Sequence, residues 1–214
     1  MKPSYLLLAM AAMAASATVQ ADILNEQFND VTQLPGWVLT NQSVPQGQSW
    51  FQGNPGIFHA HSGAPDAYIA ANYVSVQDGS GPIDNWLITP VLSLAGQSTL
   101  SFYTRDAATP GFMDKLEVRF SNGSGSDTAG FTTLLGSVGI DTPYPGCWQR
   151  VSFTVNATGS GRFALRYVGA GYSADYIGVD NLRVVAVPEP ATFAMLGVGL
   201  ALLAGLRRRE RLFY

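Results

Sequence analysis

The chain is 214 residues long and carries 12 Lys and Arg against 15 Asp and Glu, a formal net charge of −3. Residues 22–187 alone hold seven basic and thirteen acidic side chains, a net −6, which argues against nucleic acid or anionic lipid headgroups as partners. Cys147 is the single cysteine, so there is no disulfide framework and stability must come from packing or bound metal.

The first segment reads as a signal peptide over residues 1–21. Lys2 supplies the positive start and Tyr5 to Ala15 the apolar core, and Val19-Gln20-Ala21 places small residues before a cut after Ala21. The apolar core is too short for a membrane helix. Sec export machinery and a signal peptidase are the partners this implies. The exported chain then begins near Asp22, and residues 22–186 amount to one domain with enough chain to bury a core.

That domain reads as all-β. Period-two alternation recurs, as in half-buried strands. Leu100, Phe102 and Thr104 share one face, with Ser101, Tyr103 and Arg105 on the other. Leu116, Val118 and Phe120 alternate with Lys115, Glu117 and Arg119. Val151, Phe153 and Val155 form one further strand, Phe163, Leu165 and Tyr167 another, and a last strand runs from Tyr176 to Val184. The clusters at 78–81, 122–125, 143–146 and 159–161 are rich in Gly, Ser and Pro and read as turns. Gly or Pro breaks every helical period, so a sandwich or barrel is expected.

A set of residues goes beyond periodicity. It includes Glu26, Phe28 and Trp37, then Trp50-Phe51, Asp84-Asn85-Trp86-Leu87-Ile88-Thr89-Pro90, Leu100-Ser101-Phe102, Asp114, Trp148 and Tyr176-Ile177-Gly178-Val179-Asp180-Asn181. This order resembles the choice-of-anchor J domain, which is related to the cleaved-adhesin domains of secreted bacterial proteases. The resemblance spans nearly all of residues 22–186. It implies a jelly-roll-like β-sandwich similar to galactose-binding and MAM-like modules. It also implies a structural calcium joining the first and last strands, held by Glu26 and Asp180, with Asn181 and loop carbonyls completing the shell. The bland alternative is that Asp180-Asn181 bonds a bulge or turn.

Trp86 and Trp148 lie in strand-like runs and are expected in the core. Trp50-Phe51, set among Gly, Gln and Pro, is the candidate sugar-stacking platform. Cys147 is expected as a small buried residue. His59 and His61 lack a third zinc ligand nearby and read as a solvent-facing loop pair. Catalysis finds little support: there is no Gly-x-Ser-x-Gly elbow or phosphate loop, and Asp175 with Asp180 is the only carboxylate pair worth considering for glycoside cleavage.

The last segment, 187–211, carries the sharpest signal. Val187-Pro188-Glu189-Pro190 cannot continue a helix. An apolar run follows at 191–206, then the basic stop Arg207, Arg208, Arg209 and Arg211. The run is 16 residues, short of the roughly 20 that span a bilayer, which suits a transient transmembrane helix held in membrane lipid. Pro188, Glu189 and Pro190 followed by helix and arginines resemble the PEP-CTERM sorting signal of exopolysaccharide-making Gram-negative bacteria. In that family an exosortase recognises the signal. The resemblance implies an inner-membrane-anchored precursor that moves to the cell surface or extracellular matrix. The expected function is a noncatalytic adhesion or binding module for exopolysaccharide or matrix partners. The alternatives are a carbohydrate-processing enzyme and a structural matrix subunit without a specific ligand.

Overall fold

Alternation places the strand faces as the sequence suggests. In Lys115–Asn122, Leu116, Val118 and Phe120 are buried while Lys115, Glu117 and Arg119 are only half covered. The structure, a computed structural model, describes residues 22–187 and, outside that span, Gly199 alone. In chain order the strands are β1 (Asp22–Glu26), β2 (Val38–Asn41), β3 (Phe51–Gln52), β4 (Ile69–Asn72), β5 (Pro82–Ile88), β6 (Leu92–Asp106), β7 (Lys115–Asn122), β8 (Thr133–Val138), β9 (Gln149–Ala170) and β10 (Tyr176–Ala186). Within residues 22–187 the helical elements are three short 3-10 turns.

All ten strands share one hydrogen-bonded sheet, and that sheet curls over into two facing leaves. Strand β9 makes the curl. Its first part pairs with β6 from Gln149 to Gly161. Its second part pairs with β5 on one edge and β7 on the other. The first leaf is therefore the early part of β9, then β6, then β10, with β4 and β1 sharing the far edge of β10. The second leaf runs β2, β5, the late part of β9, β7 and β8. The leaves meet tightly. A Cβ on Gly136 of β8 would stand 2.6 Å from the Phe153 ring of the opposite leaf. Between them lies one main core, which includes Leu100, Phe102, Leu116, Phe163, Tyr167 and Val184. This is the all-β sandwich expected from the alternation.

The crossing from leaf to leaf occurs at one corner. Pro90 has no N–H to give to a ladder. Thr89 closes the gap beside it, buried to 1 % exposure. Its amide donates to the Phe163 carbonyl at 2.9 Å, and its hydroxyl oxygen accepts from the Phe163 amide at 3.0 Å. Its carbonyl accepts from the Arg162 guanidinium at 2.9 Å. Across the corner, any side chain at Gly161 would stand 2.7 Å from the Phe120 ring. This corrects one expectation. Residues 159–161 do not turn the chain between two strands. They lie inside β9, paired with Leu92, Ser93 and Leu94, and carry it from one leaf to the other.

Residues 1–21, Pro188, Glu189, Pro190, the apolar run at 191–206 apart from Gly199, and the arginines at 207–211 lie outside the described residues, so the expected signal peptide, sorting motif and anchor have no structural account. Among the described residues no helix is long and apolar enough to cross a membrane. Thr89→Val keeps the shape of the side chain but strands the buried Phe163 amide. It should destabilise the fold by about 1–3 kcal/mol, read as a lowered urea midpoint with unchanged slope.

Candidate functional site

The outer face of the first leaf is polar where its inner face is apolar. Register sets Tyr103 of β6 opposite Arg150 of β9, and Ser101 opposite Ser152 and Arg183. Asn25 of β1 sits across from Arg183. These strands and the Gln27 loop frame an open groove of about 410 Å³, lined by Asn25, Gln27, Ser101, Tyr103, Arg150 and Asn181, with the Asp22–Arg183 pair at its edge. The Arg150 guanidinium donates to the Ser101 hydroxyl at 3.1 Å, and Arg183 meets Asp22 at 2.5 Å. The exposed ring of His61 lies flat on Tyr103, with centroids 3.6 Å apart and planes at 19°. The edge of Trp148 closes on His61 at 6.3 Å, and its indole N–H donates to the His59 carbonyl at 2.9 Å. Beneath this loop Phe58, Tyr68 and Tyr176 form a second aromatic cluster, with the Arg105 guanidinium 4.3 Å from the Phe58 ring.

A buried carboxylate holds the histidine loop in place. Asp180 is fully buried, and one oxygen accepts the Ser62 amide at 3.0 Å while the other accepts the Asn181 amide at 2.6 Å. Burial pushes its pKa above the usual carboxylate value. Asn181 takes φ of +51° at a bulge in the β10–β6 pairing. That turn sends its side chain to the Ser62 hydroxyl at 2.7 Å and to the His61 ring at 3.2 Å. Glu26 spends a carboxylate oxygen on the Phe28 amide at 2.9 Å. The expected calcium ligands thus act as hydrogen-bond anchors. The atoms facing Asp180 are amide donors, which suit an anion. Calcium takes six to eight oxygens, so beside these three side chains a shell would need loop carbonyls and water. Among the described residues no three His, Cys, Asp or Glu side chains converge as a metal site.

Other expected site residues move. Trp50 is 4 % exposed and belongs to the main core, so it offers no face to a sugar. Phe51 is half-buried and meets the Tyr176 ring edge-on at 6.0 Å. Trp86 is in the core region as expected, under the Arg166 guanidinium at 4.9 Å, whereas Trp148 is only partly covered. Cys147 is exposed, contrary to expectation, because it sits in the bend before β9 and not on an inward-facing strand position. The Asp180 carboxylate is taken up by the Ser62 and Asn181 amides, whereas Asp175 meets Asp114 through its backbone amide. Sequence reasoning placed Tyr103 on an outward face but missed Arg150, because the β6–β9 register that joins them is not written in either strand.

A second buried acid lies where the inner face of the sandwich opens. Asp114 is 2 % exposed and accepts the Tyr167 hydroxyl and, at 3.0 Å, the Asp175 amide. Burial pushes its pKa up to about 6.

The comparisons with known proteins fall on the two parts of the chain separately. Residues 186–209 match the PEP-CTERM protein-sorting motif. The solved K3 cleaved adhesin domain of Lys-gingipain from Porphyromonas gingivalis W83 superimposes with a TM-score of 0.62 at 23% identity, covering 78% of this chain and 99% of that domain. The chain carries a PEP-CTERM sorting motif behind an adhesin-like β-sandwich. The K1 cleaved adhesin domain of Lys-gingipain gives a TM-score of 0.58 at 24% identity, over 77% of this chain and 98% of that one. TmCBM61, solved in complex with β-1,4-galactotriose, gives 0.50 at 14% identity over 78% of this chain and 99% of that module. By sequence, Hemagglutinin A of P. gingivalis is 28% identical over 124 residues, which is 56% of this chain and 6% of that protein. The match thus spans a small fraction of that curated relative.

The raised pKa of Asp114 has a stability consequence. The folded state holds this proton more tightly than the unfolded state, whose value is near 3.8. The contribution of Asp114 to stability is therefore complete below pH 4 and lost as pH rises through about 6. Asp114→Asn removes it. Urea unfolding at pH 5 and pH 7 should show wild type gaining about 1 kcal/mol more than the variant at the lower pH.

Proposed function

We propose that this protein is exported, displayed at the cell surface, and binds a polysaccharide across the outer face of its first leaf without transforming it. The observation that carries the reading is the polar groove beside the flat His61–Tyr103 stack, whose His61 ring is exposed. Sugar recognition combines one apolar ring face with several hydrogen-bonding side chains, and this face supplies both. His61 offers the ring. Arg150, Asn25, Gln27 and Asn181 offer donors and acceptors. The guanidinium of Arg150 favours a polymer with carboxylate-bearing sugars, as an acidic exopolysaccharide would have. The fold shared with TmCBM61, a module solved with β-1,4-galactotriose, supports a carbohydrate ligand. The adhesin-like fold supports a surface role.

Delivery rests on the tail. An exosortase reads Pro188, Glu189 and Pro190 while the apolar run holds the precursor in the inner membrane and the arginines keep its end cytoplasmic. Domain limits of 1–21, 22–186 and 187–211 follow from this reading. Replacing all three residues of the Pro-Glu-Pro stretch with alanine should leave the precursor in the membrane fraction. Normal processing of that variant would show a plain tail anchor.

For the binding face, His61→Ala and Arg150→Ala should each weaken retention on an acidic exopolysaccharide column about tenfold, the equivalent of about 1.4 kcal/mol, with the circular dichroism spectrum unchanged. Retention equal to wild type in both variants would remove this face as the site. Release of shortened sugars from the column would instead make the protein a carbohydrate-processing enzyme.

A further inference from the structure

A second surface has a different chemistry from the groove. The β6–β7 and β8–β9 connections border a cleft of about 500 Å³ at the open end of the sandwich. Its walls are apolar and unusually exposed: Phe112 is 43%, Met113 62% and Ile140 46% exposed. Its floor is acidic. Asp106 and Asp114 line it, and Asp141 stands with them. One oxygen of Asp114 serves Tyr167 and the Asp175 amide, while the other has no hydrogen bond among the described residues. Behind it, the Oδ2 of Asp175 is buried and has no hydrogen-bond partner among the described residues. Among the described residues none of these four carboxylates has a salt bridge. The nearby Arg105 is committed to the Asp106 and Gly146 carbonyls and to the Phe58 ring. No three acidic, His or Cys side chains of the described chain are arranged to hold a metal.

Asp114 is the buried member of this group, and a buried carboxylate without a paired cation is costly, so a positive charge arriving at the cleft would be stabilised there. The walls say how that charge arrives. They match the methylene stem of a long basic side chain, which packs against apolar surface while its head reaches polar groups. Exposed Met and Phe side chains around a recess are typical of protein interfaces.

We propose that this cleft receives a Lys or Arg side chain of a protein partner, with the stem held between Phe112, Met113 and Ile140 and the charged head against Asp114 and Asp106. The site is separate from the polysaccharide face and does not rest on it.

The test uses the full-length chain and a fluorescein-labelled peptide, Gly-Leu-Lys-Leu-Gly amide, with a twin peptide in which norleucine replaces lysine. Saturable anisotropy with a Kd below about 1 mM is expected for the lysine peptide, with binding at least about tenfold weaker for the norleucine twin and for Asp114→Asn. Ile140→Ser alters an exposed wall residue, leaves the fold intact, and should weaken lysine-peptide binding several-fold. Arg150→Ala should leave peptide binding unchanged, which separates this site from the polysaccharide face. Equal binding of the two peptides, full binding by both cleft variants, or no binding at millimolar peptide would each overturn the proposal.

Discussion

Strand β9 is hydrogen-bonded along its length to the segment made of β5 and β6, and Pro90 is the one place where that ladder needs help. Thr89 supplies it through its amide, hydroxyl and carbonyl. Because the two segments bend together, both leaves of the sandwich are built from the same pair of antiparallel strands. Their relative position is then set by backbone geometry, and core packing adjusts around it. Everything else attaches to this ribbon. β10 adds to β6 and places Asp180 under the histidine loop, while β7 adds to β9 and brings Glu117 beside Arg166 and Asp84 on the second leaf's outer face.

This explains which parts of the fold could be read from the amino-acid order. Alternation reports which side of a strand is wet, and it placed Leu116, Val118 and Phe120 inward and Tyr103 outward. It cannot report that a strand changes leaf. Gly159, Ser160 and Gly161 look like a turn because glycine is needed there, but Gly161 is needed for space beside Phe120 and Gly159 for its φ of +86°, and neither reverses the chain. Trp50 misled for a related reason. Its neighbours are turn formers, yet its ring reaches back into the core. The pairing of Tyr103 with Arg150, and of His61 with Tyr103, depends on register and on a loop path, neither of which has a local signature.

Two buried aspartates hold loops by the same physics with different outcomes. Asp180 has amide donors on both oxygens, so its burial is compensated and it works as a fixed anchor for the Ser62 loop. Asp114 has donors on one oxygen only and faces an open cleft, with Asp106 and Asp175 adding like charge. The first arrangement favours rigidity of the neighbouring face. The second leaves an electrostatic deficit at the end of the sandwich, and such a deficit is where a ligand gains most from arriving.

The direction of β6 orients these surfaces relative to the tail. Val187, the residue before the Pro-Glu-Pro stretch, donates its amide to the Gln97 carbonyl in the first half of β6. Asp106 closes the same strand nine residues later. At about 3.3 Å per residue the two points are separated by roughly 30 Å, close to the length of the sandwich. β1 also begins at this end, with Asp22 opposite Val185. Both ends of the domain therefore leave from one pole, and the acidic cleft opens near the other. The polar groove lies on the face between them. The pole from which residues 22 and 187 leave is therefore set away from the cleft, and the groove reaches it only at its Asp22–Arg183 edge.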